Sequence, residues 1–272
     1  MELVGCQSLR EATRGCRAIV LTATETEAEP LREALIMEES HTLATKRLYV
    51  AAPVVLGVTG CDKANAAHLL TCLLQAMLPP PELVLQVGIA GAFTEGGPGA
   101  SVQVGDVVIA TNETYADTGS SSPAGWLSAA ELGLPIARSG DTELGGVFPL
   151  DLSLAEAARD VIAAAASVAE RGAVEALQAR PNVLLGPCVT SSCATGLRAD
   201  GQLVACRWGA LAESMEGAAA AHVSALYGVP FLEIRGISNL VTDRDRDSWE
   251  VERAVAAAAQ AALAVVAAFG GD

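Results

Sequence analysis

The sequence predicts a single-domain α/β protein, a three-layer αβα arrangement around a central mixed, largely parallel sheet. Short apolar runs rich in β-branched residues, such as residues 17–24 (RAIVLTAT) and 83–87 (LVLQV), read as strands buried on both faces. Helical stretches alternate with these runs along the chain, which favours a sheet covered on both sides. With 272 residues and 51% hydrophobic content, the chain can bury one full core, and nothing in it demands two.

The elements follow in order. After the first strand a helix spans 25–35. Residues 47–58 read as strand, Gly60 marks a tight turn, and 64–77 is helical until Pro79, Pro80 and Pro81 break it. The strand 83–87 enters the glycine-bearing segment GIAGAF (88–93), read as a turn whose glycines let backbone approach something closely. Strand 107–111 follows Gly105-Asp106. Residues 118–146 shift to Ser, Gly and Pro, with Trp126 as a large anchor, and read as a lid or insertion. Ser153 and Glu156 have capping-box spacing for a helix reaching about residue 180. Strand 183–185 then leads to the turn GPCVTSSCATG (186–196). Glu213 and Glu216 stand at the head of the Ala-rich helix 217–225, and strand 229–237 delivers Ser238 and Asn239 at its carboxyl end. In an open α/β sheet that end is the usual ligand crevice.

Composition excludes several classes. The 17 basic and 32 acidic residues give net charge -15, which repels phosphate backbones and anionic lipid, so neither nucleic acid nor membrane is an expected partner. The seven cysteines show no CxxC pair or companion His spacing for zinc and read as reduced, cytoplasmic thiols; no metal and no cofactor is called for. Residues 1–17 lack an apolar signal-peptide core and read as a loose extension before a domain at 18–272. The apolar run 254–269 is Ala-dominated and shorter than the roughly 20 residues of a spanning helix, so a packed terminal helix is expected. His41, His68 and His222 are scattered, no HExxH, GxSxG or Walker motif is present, and GIAGAF lacks dinucleotide-fingerprint spacing.

Taken together, ATETEAEPL, TGCDKANAA, QVGIAGAF, VGDVVIA, ESMEGAAAAHV and VPFLEIRGISN, in this order over about 18–270, resemble the nucleoside phosphorylase and nucleosidase superfamily. The chain looks most like its hydrolase branch, and within that like the enzymes that cleave futalosine rather than those that release adenine. The resemblance implies a small-molecule nucleoside substrate and a homo-oligomer.

Breaking an N-ribosidic bond passes through an oxocarbenium-like ribose, which needs a base for water, groups holding the ribose, and a donor for the departing purine. By the resemblance, Glu27 is the water-activating carboxylate, with Glu25 the fallback. Glu216 accepts from the ribose hydroxyls, and its charge suits the developing cation. Met215 packs on the sugar or in the core. Asn239 stands where adenine-releasing relatives usually have Asp; its amide N–H groups suit the N7 and O6 acceptors of hypoxanthine. Ile89, Ala90 and Gly91 line the ribose and base, Val189, Thr190 and Ser191 border the purine or 5′ group, and Ser238 flanks the site. Trp249 is a pocket aromatic or helix packing. Arg235, in an apolar strand, requires a buried partner, with Glu233, Glu213 and Asp243 candidates by charge. Futalosine's 5′ group carries an aromatic carboxylate, so a nearby cation or helix N-terminus is expected.

Overall fold

The computed structural model describes residues 9–37, 40–94, 102–172 and 181–270. A ten-stranded mixed sheet forms its middle layer, in the order β11 (Val147–Pro149), β6 (Val107–Tyr115), β12 (Val183–Thr190), β13 (Ala212–Ser214), β5 (Leu83–Phe93), β1 (Ala18–Thr22), β4 (Val54–Val58), β3 (Lys46–Ala51) and β2 (Ser40–Leu43). The tenth strand, β14 (Phe231–Val241), pairs with both β5 and β6, closing β5, β14, β6, β12 and β13 into a ring. The longest ladders, β5–β14 and β6–β12, are parallel, whereas the β2–β3–β4 meander and β11 pair antiparallel.

Helices cover both faces. On one side, α1 (Glu25–Ala34), α3 (Leu152–Gly172) and α6 (Val251–Gly270) pack over Leu85, Ile109, Leu232 and Ile234. On the other, α2 (Lys63–Ala76) and α5 (Gly217–Tyr227) pack over Ile19, Leu21, Val55 and Val84. A shorter helix, α4 (Arg198–Trp208), contributes Ala205 to a satellite cluster with Phe93 and Val241. Helix α6 is 20 residues long and apolar enough to cross a membrane by length and composition, so the expectation of a shorter run does not hold. Its Ala254, Ala258, Ala262 and Val265 are buried against the sheet. Close approach is the reason for small residues there: a Cβ on Gly236 would collide with the backbone of Ala254.

Several boundaries differ from the sequence reading. GIAGAF is not a turn but the second half of β5, which runs unbroken to Phe93. Residues 47–58 are a hairpin, β3 and β4, that turns at Ala52-Pro53. Strand β12 extends to Thr190, so half of the supposed turn 186–196 is buried ladder. Helix α3 is capped by Asp151, whose Oδ1 accepts from the N–H groups of Ser153 and Leu154, and its extension toward residue 180 lies outside the described residues. The lid region forms two small hairpins, at 119–128 and 137–144, with Arg207 stacked on Trp126. Within the amino-terminal stretch, Leu9 and Cys16 are buried in the core, so its described part is packed rather than loose; residues 1–8 lie outside the described residues.

Candidate active site

A cavity of about 410 Å³ opens at the carboxyl ends of β1, β5 and β14. Its walls come from the start of α1, the second half of β5, residues 194–195, the β13–α5 junction, the end of β14, and the segment from Arg244 to Val255. Three parallel strands thus stop at one place, and α1, α5 and α6 begin there.

Glu27 closes a capping box at the head of α1. Thr24 Oγ1 accepts from the Glu27 N–H at 3.3 Å, and Glu27 Oε2 accepts in return from the Thr24 N–H at 2.9 Å. Oε2 also takes the Ala23 N–H at 3.1 Å and the Thr24 hydroxyl at 2.9 Å. Oε1 reaches across to the Ile89 N–H of β5, at 3.0 Å. That reach exists because residue 88 is glycine: a Cβ there would lie 2.6 Å from Glu27 Oε1 and 2.7 Å from Arg235 Nη1. The carboxylate is buried and held by four donors, and Oε1 keeps one lone pair for a ligand.

Glu216 sits between β13 and α5. Its Oε1 accepts from the Asp62 N–H at 3.1 Å, and its Oε2 lies 3.4 Å from both terminal nitrogens of Arg235. Burial pushes Glu216 above the ordinary carboxylate range, and Arg235 pulls the other way. Asp62 holds φ at 86°, a backbone state that L side chains rarely adopt, while its own carboxylate accepts from the Lys63 N–H and the Ser192 hydroxyl.

Beneath the cavity floor, Arg235 donates from Nε to Glu233 Oε1 at 2.6 Å and from Nη1 to the Ile89 carbonyl at 3.3 Å. Burial favours a neutral guanidine, but Glu233 and Glu216 outweigh it and keep Arg235 charged. Glu113 is fully buried beside Glu233; burial first, and Glu233 second, push its carboxyl well up. Gly217 lets these groups meet, since a Cβ there would strike Oε1 of Glu113 and both carboxylate oxygens of Glu233.

Ser238 donates its hydroxyl to Asn239 Oδ1 at 2.7 Å, and Asn239 Nδ2 reaches the Leu240 carbonyl at 3.3 Å. The same hydroxyl has the Ala90 carbonyl as its alternative acceptor, at 3.2 Å; the amide oxygen keeps a lone pair and Nδ2 keeps one N–H for a ligand. Gly91 opposite keeps space for the amide: a Cβ there would stand 3.2 Å from Nδ2.

With this geometry, the profile of the Phosphorylase superfamily matches residues 17–269. The chain belongs to this superfamily. Among superfamily members, it is 36% identical to the futalosine hydrolase of Streptomyces coelicolor over 65% of this chain and 62% of that protein, so the alignment spans under two thirds of that relative. It is 32% identical to the futalosine hydrolase of Thermus thermophilus, over 78% of this chain and 81% of that one. The crystal structure of the 5′-methylthioadenosine/S-adenosylhomocysteine nucleosidase of Neisseria meningitidis in complex with methylthio-immucillin-A superposes with a TM-score of 0.71 at 23% identity, covering 92% of this chain and 98% of that one. The likeness is one of fold.

Of the superfamily positions named from sequence, Glu27, Ile89, Ala90, Gly91, Met215, Glu216, Ser238, Asn239 and Trp249 all line the cavity. Val189, Thr190 and Ser191 do not. Because β12 runs on to Thr190, Val189 is core, and the Thr190 hydroxyl joins Glu113 Oε2 to the Ala218 N–H of α5. Ala194 and Thr195, a few residues on, take the expected place on the wall. Arg235 meets Glu233 as charge suggested, and Glu216 as well, while Glu213 bonds Thr195 and Asp243 accepts from the Arg198 N–H. The fallback Glu25 points away, pairing with Arg47 and Tyr49. Sequence reading missed Arg244 and Arg246, two cations in an Asp-rich loop that look like solvated charges until the loop is seen folded over the cavity.

Proposed function

We propose that this protein is a nucleosidase that hydrolyses the N-ribosidic bond of a 6-oxopurine nucleoside, and that its substrate is futalosine, releasing hypoxanthine. The observation that carries the reading is Asn239 on the cavity wall, an amide that keeps one Nδ2 N–H clear of protein partners where it can donate to the base. A 6-oxopurine presents acceptors at both N7 and O6, either of which that N–H serves, whereas adenine offers N7 alone beside a 6-amino donor. The two futalosine hydrolase relatives support the same substrate.

In this reading the free lone pair of Glu27 Oε1 accepts a proton from water as the water oxygen bonds to C1′. The C1′–N bond breaks with its electron pair passing to the purine, whose developing charge Asn239 stabilises by hydrogen bonding; a second water gives the leaving base its proton and takes back the one Glu27 acquired, which restores the carboxylate. Glu216 accepts from the ribose hydroxyls, and its negative charge favours the cationic ribose of the transition state over the neutral ground state. Met215 covers the sugar. The carboxylates of Glu27 and Glu216, buried on the cavity floor below the exposed Arg244 and Arg246, repel phosphate from that floor, which favours water as nucleophile over phosphorolysis.

The test is incubation with futalosine in phosphate-free buffer with chromatography of the free base. Hypoxanthine should accumulate; its absence overturns the substrate assignment.

A further inference from the structure

Two cations converge on one ring at the cavity rim. The guanidinium carbon of Arg244 lies 5.0 Å from the Trp249 ring centroid and that of Arg246 lies 5.8 Å from it. All three residues line the cavity. Among the described residues, neither guanidinium makes an ion pair or a side-chain hydrogen bond. Of the acidic neighbours, Asp243 Oδ1 accepts from the Arg198 N–H, Asp245 Oδ1 from the Asp247 N–H, Glu250 pairs with Arg253, and Glu213, which feels the Arg244 charge, accepts from the Thr195 N–H and hydroxyl.

Two like charges gathered on one ring repel one another, and the Glu213 carboxyl that interacts with Arg244 is held by Thr195 rather than paired with it. An anion placed between the two would relieve that repulsion, and the Trp249 ring adds a flat apolar face beside it. Depth assigns the position. Glu27, Glu216 and Ser238 are buried on the floor, where ribose and base belong, whereas Arg244 and Arg246 are exposed at the rim. A group that extends outward from a nucleoside bound on the floor reaches them.

We propose that Arg244, Arg246 and Trp249 form a subsite for an aromatic carboxylate carried on the 5′ side of the nucleoside, with the guanidinium groups on the carboxylate and the indole against the ring. This rests on the nucleosidase reading above and supplies its specificity. The rim cations also offset the repulsion that the cavity carboxylates exert on an anionic substrate.

The experiment compares hypoxanthine release from futalosine, its methyl ester and inosine by the wild type, Arg244→Gln, Arg246→Gln and the double variant. Each substitution should raise the futalosine KM and lower the futalosine-over-inosine ratio of kcat/KM about tenfold, the size of one charge-assisted hydrogen bond, with the ester showing a much smaller change in its ratio. Equal changes for all three substrates would overturn the subsite. A second readout stands apart from turnover: 3-acetylbenzoate should quench the fluorescence of Trp249, identified by its loss in Trp249→Phe, and neutral acetophenone should not. Quenching that is the same for both probes, or that survives in the double variant, overturns the proposal. Carboxylate-specific quenching without hydrolysis of futalosine would instead overturn the substrate reading and leave the anion site standing.

Discussion

Arg235 and Glu233, two residues apart on β14 and therefore on the same face of the strand, form a buried ion pair at 2.6 Å, with side-chain exposures of 1% and 0%. The same guanidinium faces Glu216, and its Nη1 and Glu27 Oε1 converge beside Gly88. One cation thus organises the two carboxylates to which the chemistry is assigned.

Removing that cation should be costly. Arg235→Met leaves Glu233 and Glu216 buried without their counter-ion, and the expected loss is about 3–5 kcal/mol in urea unfolding. A loss under about 1 kcal/mol would mean that the pair contributes little beyond an apolar substitute.

Glu113 gives a pH signature. Its carboxyl is raised in the folded state, so between the ordinary carboxylate value and the raised one the folded protein binds more protons than the unfolded chain. Its contribution to stability is therefore present at low pH and is lost as pH rises from about 4.5 through the folded value. Glu113→Gln mimics the protonated form, so its stability relative to wild type should improve steadily with pH in urea midpoints from pH 5 upward. A constant difference would show that Glu113 does not titrate on unfolding.

Glu27→Gln keeps the shape of the side chain and removes the proton acceptor. Turnover should fall by about 10²–10⁴, the usual contribution of a general base, while nucleoside binding measured by calorimetry changes little. Turnover near the wild-type rate would place the base elsewhere.

Asn239→Asp tests the match between the side chain and the purine. With the Ser238 hydroxyl still bonding one oxygen, the carboxylate repels the N7 and O6 acceptors unless protonated. Hypoxanthine release should fall about tenfold or more, the cost of one lost donor, while release of adenine from an adenosine-type analogue rises. Equal losses on both bases would contradict the matching argument.

The alternation of strand and helix was legible because buried strands are written as continuous apolar runs, and the ordered motifs single out Glu27, Glu216 and Asn239, which line one cavity. Thr24 and Glu27 have the spacing of a capping box, legible in TETE, whereas Ser153 and Glu156 share that spacing although Asp151 does the capping there. Glycines misled at GIAGAF: they read as a turn, although Gly88 and Gly91 sit in a strand to admit the side chains of Glu27, Arg235 and Asn239. Thr190 looked like a pocket hydroxyl because no local pattern says that β12 runs so far; pairing with Tyr115 of β6 decides it. The Glu113–Glu233 contact and the rim arginines depend on segments more than forty residues apart in sequence or on a loop's path, and neither is encoded in spacing.

Side-by-side chromatography of free base from futalosine, inosine, methylthioadenosine and adenosylhomocysteine, each with and without phosphate, tests the central claim most directly. The account predicts hypoxanthine from futalosine at a rate indifferent to phosphate, with little adenine from the two adenine nucleosides. Adenine release that outpaces hypoxanthine release, or strict dependence on phosphate, would contradict it.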